Sequence, residues 1–346
     1  MLLRHARALW GAYWWLPALP WIGYAAVLSA IGGARGEHAL VALIATLAAY
    51  TSASTRRFFL HALPFLLIFL LFDSMRYWRD VGLTPEGVLG CELQSAERRL
   101  FGVEVGGHLL TPNQLLARLQ HPALDLLCAV PYGTHIAVML VQWIYLFFHD
   151  LPASRRMAWI ALGTNALGFL TYHLLPAAPP WYVALHGCAI DLSTSPSPAA
   201  LARVDALLGI HYFDAMYSRG AAVFGALPSL HVAYPFFALL ATYRRASPLS
   251  RAAQAGYAAL MMFAAIYLDH HWVIDGLLGI AYAGAVALVV HRLLPEQSAP
   301  GGARQPAGFA RWPLAETSGS QSSSGAPRSA EAQRLQTKRA SLRRFR

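Results

Sequence analysis

The chain has 346 residues, of which 56% are hydrophobic and only 13% charged, with a formal net charge of +10 and a mean hydropathy of +0.41. A soluble domain carries about 25% charged residues, so composition excludes a soluble globular enzyme and points to an all-α, polytopic membrane helix bundle. Most of the positive charge lies in short connectors and in the C-terminal segment, so no nucleic-acid partner is expected.

Taken in order, Met1–Trp15 carries Arg4, His5 and Arg7 and then the aromatic residues Trp10, Tyr13, Trp14 and Trp15. Aromatic belts mark a membrane interface, so a first span is expected from here to Ile31. The run is long and lacks a clear small-residue cleavage site, which predicts a retained anchor rather than a signal peptide. A Gly-rich hairpin at 32–36 leads to a second span over 38–54, and Arg56-Arg57 precede a third over 58–72. Asp73 to Pro122 is a polar connector, within which residues 92–101 read as a short amphipathic helix lying on the surface. The fourth and fifth spans are expected over 123–148 and 157–175, separated by Arg155-Arg156. A second long connector, 176–226, opens with Pro176-Ala177-Ala178-Pro179-Pro180-Trp181-Tyr182, whose prolines exclude a continuing helix. The sixth, seventh and eighth spans are expected over 227–243, 254–268 and 271–293. Residues 295–346, rich in Gly, Ser, Pro, Gln and Arg, are expected to be a disordered, basic cytoplasmic tail, leaving 1–294 as the transmembrane catalytic domain.

Arg4/Arg7, Arg56/Arg57, Arg155/Arg156, Arg244/Arg245/Arg251 and the tail fall on alternate connectors, with Arg35 the one exception. The positive-inside rule then places both termini in the cytoplasm with eight spans, and puts the two long connectors together on the opposite, extracytoplasmic face. Arginine is used almost to the exclusion of lysine, the only one being Lys338, and Ala and Leu abound. That bias suggests a GC-rich bacterial genome, and hence an inner-membrane location. Cys91 and Cys188 both fall on the outer connectors, where an oxidising compartment would let a disulfide tie the loops together. Cys128 is expected in the core, and none of the three has the paired spacing of a zinc or redox site.

The stretch Tyr267-Leu268-Asp269-His270-His271-Trp272-Val273-Ile274-Asp275-Gly276 lies between two apolar runs. Ionisable groups there are costly and tend to sit at an edge or serve a purpose. On a helix, His271 and Asp275 would share a face, so that the carboxylate holds one imidazole nitrogen and leaves the other as nucleophile or ligand. A polar pair linking two helices is the competing reading. A second histidine, His231, follows Pro228 and Ser229 at the outer start of the sixth span, where unpaired backbone N–H groups favour an anion.

Pro228-Ser229-Leu230-His231, followed by His271-x-x-x-Asp275, resembles the second and third motifs of the phosphatidic acid phosphatase type 2 superfamily. Together with Ala178-Pro179-Pro180-Trp181-Tyr182 and Tyr267-Leu268-x-His270-His271-Trp272-x-x-Asp275, it is more specifically similar to the inositol phosphorylceramide synthase branch, over roughly residues 70–294. The chain departs from the phosphatase branch in having no lysine for the first motif. It also has Ala264 and Ala265 where that branch carries Ser-Arg.

The resemblance implies a six-helix core with interfacial helices in the outer loops and a phosphotransferase without cofactor or metal. A phosphoinositol-type headgroup would pass from phosphatidylinositol to a lipid hydroxyl such as ceramide. His271, oriented by Asp275, would form a phosphohistidine, and His231 would protonate the leaving alkoxide and later deprotonate the acceptor. Arg219 and Arg76 are candidates for the phosphoryl oxygens, with Asp73 orienting Arg76. An ordinary loop charge and an interfacial Asp73–Arg76 pair are the competing readings. Ser229, His270, Trp181 and Tyr182 are further substrate-binding candidates, with helix capping and an aromatic belt as the alternatives for the last three. A lipid phosphate phosphatase using water as acceptor is the same-class alternative. A non-catalytic lipid-binding or transport protein is another, although transporters favour broken helices at the bilayer midplane.

Overall fold

Each of the eight apolar runs forms a helix. The computed structural model describes residues 1–78, 80–218, 220 and 223–295; Arg219 and the expected tail, 295–346, except for Pro295, lie outside the described residues. A short helix α1 (Leu2–Trp10) precedes α2 (Leu19–Ala30), α3 (Gly36–Tyr50) and α4 (Ala53–Trp78). The first connector contains α5 (Cys91–Phe101), an antiparallel hairpin of β1 (Val103–Val105) and β2 (His108–Leu110), and α6 (Pro112–Leu116). Then come α7 (Pro122–His149) and α8 (Leu151–Leu174). The second connector carries α9 (Pro180–His186), α10 (Ala202–Leu208) and α11 (Tyr212–Tyr217), and α12 (Leu230–Thr242), α13 (Pro248–Tyr267) and α14 (Val273–Leu293) complete the bundle.

Among the described residues, α4, α7 and α14 are long and apolar enough to cross a membrane. Four of the other five expected spans differ for identifiable reasons. Helices α2, α3 and α12 are apolar but have fewer than the ~20 residues a bilayer requires. Helix α8 is long, but its apolar run is interrupted by Thr164, Asn165 and Thr171, all buried in the bundle rather than facing lipid. Leu126, Leu127, Val130, Ile136 and Val141 of α7 are exposed, an apolar outer surface that water would not tolerate and acyl chains would. The chain is an integral membrane protein.

Helices α8 and α12 form the centre. Helix α8 packs on α4, α7, α12 and α14, while α12 packs on α7, α8, α13 and α14. Small residues permit this closeness: a side chain on Gly279 of α14 would collide with the backbone carbonyl of Ser229, the residue preceding α12. Polar ties fix the register, with the Tyr234 hydroxyl donating to Asn165 Oδ1 at 2.8 Å between α12 and α8. Helices α2 and α3 stand against α4 at the edge, where Tyr24, Arg35, His38 and Arg76 converge on the buried carboxylate of Asp73.

The two long connectors fold together over one end of the bundle. Their backbones are laced at Leu89, Ala177 and Gly225 by parallel bridges: Ala178 N–H donates to the Leu89 carbonyl at 2.8 Å, and Ala177 N–H to the Phe224 carbonyl at 2.8 Å. Beneath them Val88, Trp181, Tyr182, Phe224 and Trp272 form an apolar cluster. Cys91, the first residue of α5, is bonded to Cys188 with the two Cα atoms 5.3 Å apart. Closing 97 residues of sequence separation corresponds, on the chain-entropy model, to at most about 4–5 kcal/mol. Cys91→Ser is expected to lower the thermal unfolding midpoint by several degrees and to match wild type under reducing conditions; equal midpoints in oxidising buffer would show that the bridge is not formed.

Candidate active site

Helix α14 starts at Val273, with Trp272 as N-cap. His271 therefore lies before the first helical turn, and its approach to Asp275 does not come from the i, i+4 stacking of a regular helix. Asp275 instead occupies the third helical position and folds back, its Oδ2 accepting from Trp272 N–H at 2.8 Å. This return brings the same oxygen to 3.5 Å from His271 Nδ1. The nearer acceptor for that nitrogen is the Ala226 carbonyl, at 3.0 Å, which belongs to the laced connectors.

A carbonyl and a carboxylate can only accept, so Nδ1 of His271 carries the hydrogen and Nε2 of the neutral ring carries the lone pair. Nε2 in turn lies 3.1 Å from Nδ1 of His231, the second residue of α12. With both rings neutral, His231 Nδ1–H is the donor. His231 from one helix and His271 and Asp275 from the start of another thus lie in one row, joined by the 3.1 Å imidazole hydrogen bond and the 3.5 Å His271–Asp275 approach. His271 is 5% exposed and Asp275 0%.

Helix α12 is delivered to the row by its cap. Ser229 Oγ accepts from Val232 N–H at 3.3 Å, and Ser229 N–H donates to the Asp275 backbone carbonyl at 2.8 Å. Ser229 is fully buried, so it acts here as a splice between α12 and α14. The first N–H groups of α12, at Leu230 and His231, have no carbonyl within the helix to receive them.

The remaining candidates fall into other surroundings. His270 is sandwiched between Tyr132 (centroids 5.1 Å apart) and Tyr217 (4.7 Å), and its Nε2–H donates to the Pro198 carbonyl at 3.1 Å. Burial pushes its imidazole down to about 3. Neighbouring Asp269 adopts a left-handed backbone with φ 64°, and burial raises its carboxyl to about 6. Trp181 and Tyr182 are buried in the cluster under the connectors, where the Tyr182 hydroxyl accepts from Asp191 N–H at 2.6 Å. Asp73 and Arg76 belong to the α2–α3–α4 cluster, with Arg76 Nε 3.3 Å from the Asp73 carboxylate. Among the described residues, no hydrogen bond or ion pair links that cluster to the histidines.

Several site residues were not anticipated. Glu97 of α5, read as part of a surface helix, is fully buried. Its two oxygens accept from Val273 N–H at 2.9 Å and Ile274 N–H at 3.1 Å, capping α14 from another element. Burial pushes its carboxyl upward, against the pull of those two donors. Asn113 Nδ2 donates to the carbonyls of Ile266 and His271 at 3.0 and 3.1 Å, closing the α13–α14 turn. Tyr132 stacks on His231 at 4.8 Å, and His135, one turn along α7, lies 4.9 Å from it. A histidine inside an apolar helix such as α7 was the signal available for His135.

A model of the PAP2 superfamily matches residues 98–289. The chain belongs to the PAP2 superfamily. It is 34% identical over 255 residues to the phosphoinositol dihydroceramide synthase of Bacteroides thetaiotaomicron, covering 72% of this chain and 82% of that protein. It is 28% identical over 277 residues to the inositol phosphorylceramide synthase catalytic subunit of Schizosaccharomyces pombe, covering 79% and 63%, and 30% identical over 232 residues to that of Saccharomyces cerevisiae, covering 65% and 55%. The chain thus spans less than two thirds of these fungal relatives. No solved structure matches.

Against the phosphatase branch of the superfamily, Ala264 and Ala265 replace Ser and Arg. Both are fully buried in a cluster with residues of α7, α10 and α12, so packing fills the space that a cation would need. The Glu97 cap carries its own test. Glu97→Ala leaves two buried N–H groups unpaired, at about 1–3 kcal/mol each, whereas Glu97→Gln keeps one acceptor oxygen. Unfolding midpoints are expected to fall from wild type to Gln to Ala; an unchanged midpoint in Glu97→Ala would rule the cap out.

Proposed function

We propose that this PAP2-superfamily enzyme transfers a phosphoinositol-type headgroup from phosphatidylinositol to the hydroxyl of a lipid such as ceramide. The observation that carries the reading is the Asp275–His271–His231 row, in which an imidazole with a fixed tautomer presents its lone pair to a second imidazole. The names of the similar bacterial and fungal enzymes supply the substrate class.

His271 Nε2 attacks the phosphorus of the donor phosphodiester, forming an N–P bond as the bond to the diacylglycerol oxygen breaks. His231, protonated beside the anionic phosphodiester, gives its proton to that oxygen. The ceramide hydroxyl then passes its proton to His231 and attacks the phosphohistidine, which restores His271. Phosphatidylinositol and ceramide are thus converted to inositol phosphorylceramide and diacylglycerol, with every proton accounted for. Asp275 and the Ala226 carbonyl stabilise positive charge on the attacking ring.

A phosphorus in position for attack stands about 3–3.5 Å from the nucleophile. His231 Nδ1 fills that position at 3.1 Å in the free protein, so the imidazoles part when the phosphate enters. The unpaired N–H groups at the start of α12 are then candidates for the phosphoryl oxygens. Arg203 is held by Asp125 at 2.6 Å and Arg76 by Asp73, while Arg219, outside the described residues, remains a proposed contributor.

The row sits at the end of the bundle opposite Arg56, Arg155, Arg244 and Arg251. This arrangement supports an extracytoplasmic site with cytoplasmic termini in a bacterial inner membrane.

Purified protein given headgroup-labelled phosphatidylinositol is expected to form a labelled sphingolipid only when ceramide is added. His271→Ala is expected to lower the rate on the order of 10³-fold or more. Label released only as water-soluble inositol phosphate or phosphate would instead assign water as the acceptor.

A further inference from the structure

At the end of α12 and α14 remote from the histidines, the two helices leave a groove of about 550 Å³. Leu240 and Tyr243 form one wall and Ala287 and Leu288 the other, with Arg244 and Arg292 at the rim. His291 Nε2–H donates to the Leu240 carbonyl at 2.9 Å, joining the helices beside the groove. Gly284 also borders it, and a Cβ added there would meet nothing within 4 Å. Leu288 is 67% and Tyr243 58% exposed, so the apolar walls are open to the surroundings.

Among the described residues, the charges at the rim are not balanced by carboxylates. Neighbouring Arg245 has Asp150 at 3.2 Å, but among the described residues neither Arg244 nor Arg292 has a carboxylate within ion-pair distance. Two guanidiniums beside an open apolar slot at a membrane interface match a molecule with an anionic phosphate at one end and a hydrocarbon chain at the other. A zwitterionic lipid would bring its own cation against the arginines, and a free anion would leave the apolar walls uncovered.

We propose that this groove is a binding site for an anionic glycerophospholipid, its phosphate between Arg244 and Arg292 and an acyl chain along Leu240, Ala287 and Leu288. The bound lipid bridges the two helices that carry His231 and Asp275 at their other ends. Binding here is independent of headgroup transfer.

Full-length protein in neutral detergent is the material for the test, with phosphatidylglycerol, phosphatidylcholine of the same acyl chains, and inorganic phosphate as probes. Native mass spectrometry is expected to retain phosphatidylglycerol at least tenfold more than phosphatidylcholine, and only phosphatidylglycerol should raise the unfolding midpoint. The double variant Arg244→Gln/Arg292→Gln should lose this selectivity. Gly284→Leu, which fills the groove while leaving both arginines in place, should lose retention as well. Equal retention of the two lipids by wild type, a midpoint raised as far by inorganic phosphate, or selectivity surviving in both variants would overturn the proposal. So would phosphatidylglycerol binding that emerges only after removal of 296–346, which would assign the groove to the tail.

Discussion

The hydrogen on His271 Nδ1, held between the Ala226 carbonyl and the Asp275 carboxylate, is the constraint on which the rest of the site depends. It fixes the tautomer, and so decides which nitrogen faces His231. Neither acceptor would be in place without elements far apart in sequence. Ala226 is positioned by the lacing of the two outer connectors at Leu89, Ala177 and Gly225. Asp275 is positioned by the first turn of α14, which Glu97 caps from α5.

This dependence gives the long connectors a physical role. A disulfide anchors α5 to the second connector, α5 holds the start of α14, and the second connector supplies the carbonyl. The Ala-Pro-Pro-Trp segment contributes through its backbone. Ala177 and Ala178 are fully buried, and Trp272 Nε1–H donates to the Ala178 carbonyl at 3.1 Å. Prolines at 179 and 180 keep that strand extended and end its pairing where α9 begins.

Much of this was legible in the sequence. Apolar runs located the eight helices, alternating arginines separated the two ends of the bundle, and the two histidine motifs met as their order implied. What escaped was whatever depends on tertiary direction. Glu97 lies one turn after Leu93, and the amphipathic pattern of 92–101 does not say which element its carboxylate faces; only the packing of α5 on α14 makes it a cap. The Val103–Leu110 hairpin turns on Gly106-Gly107, both with positive φ, a short signal inside a polar connector. For Arg76 the sequence leaves open a phosphate contact and an interfacial pair with Asp73, and the pair is present. The sequence offered no sign that Tyr24, Arg35 and His38 would gather on that carboxylate, because those residues come from another hairpin.

The central claim is that His271 Nε2 is the nucleophile. The most direct measurement is a rapid quench of the enzyme with donor labelled at phosphorus and no acceptor lipid, followed by peptide mapping. The account predicts an acid-labile, alkali-stable phosphoryl adduct on His271 that disappears when ceramide is added and never forms in His271→Ala. Sustained headgroup transfer without such an adduct, or by the His271→Ala variant, would contradict it.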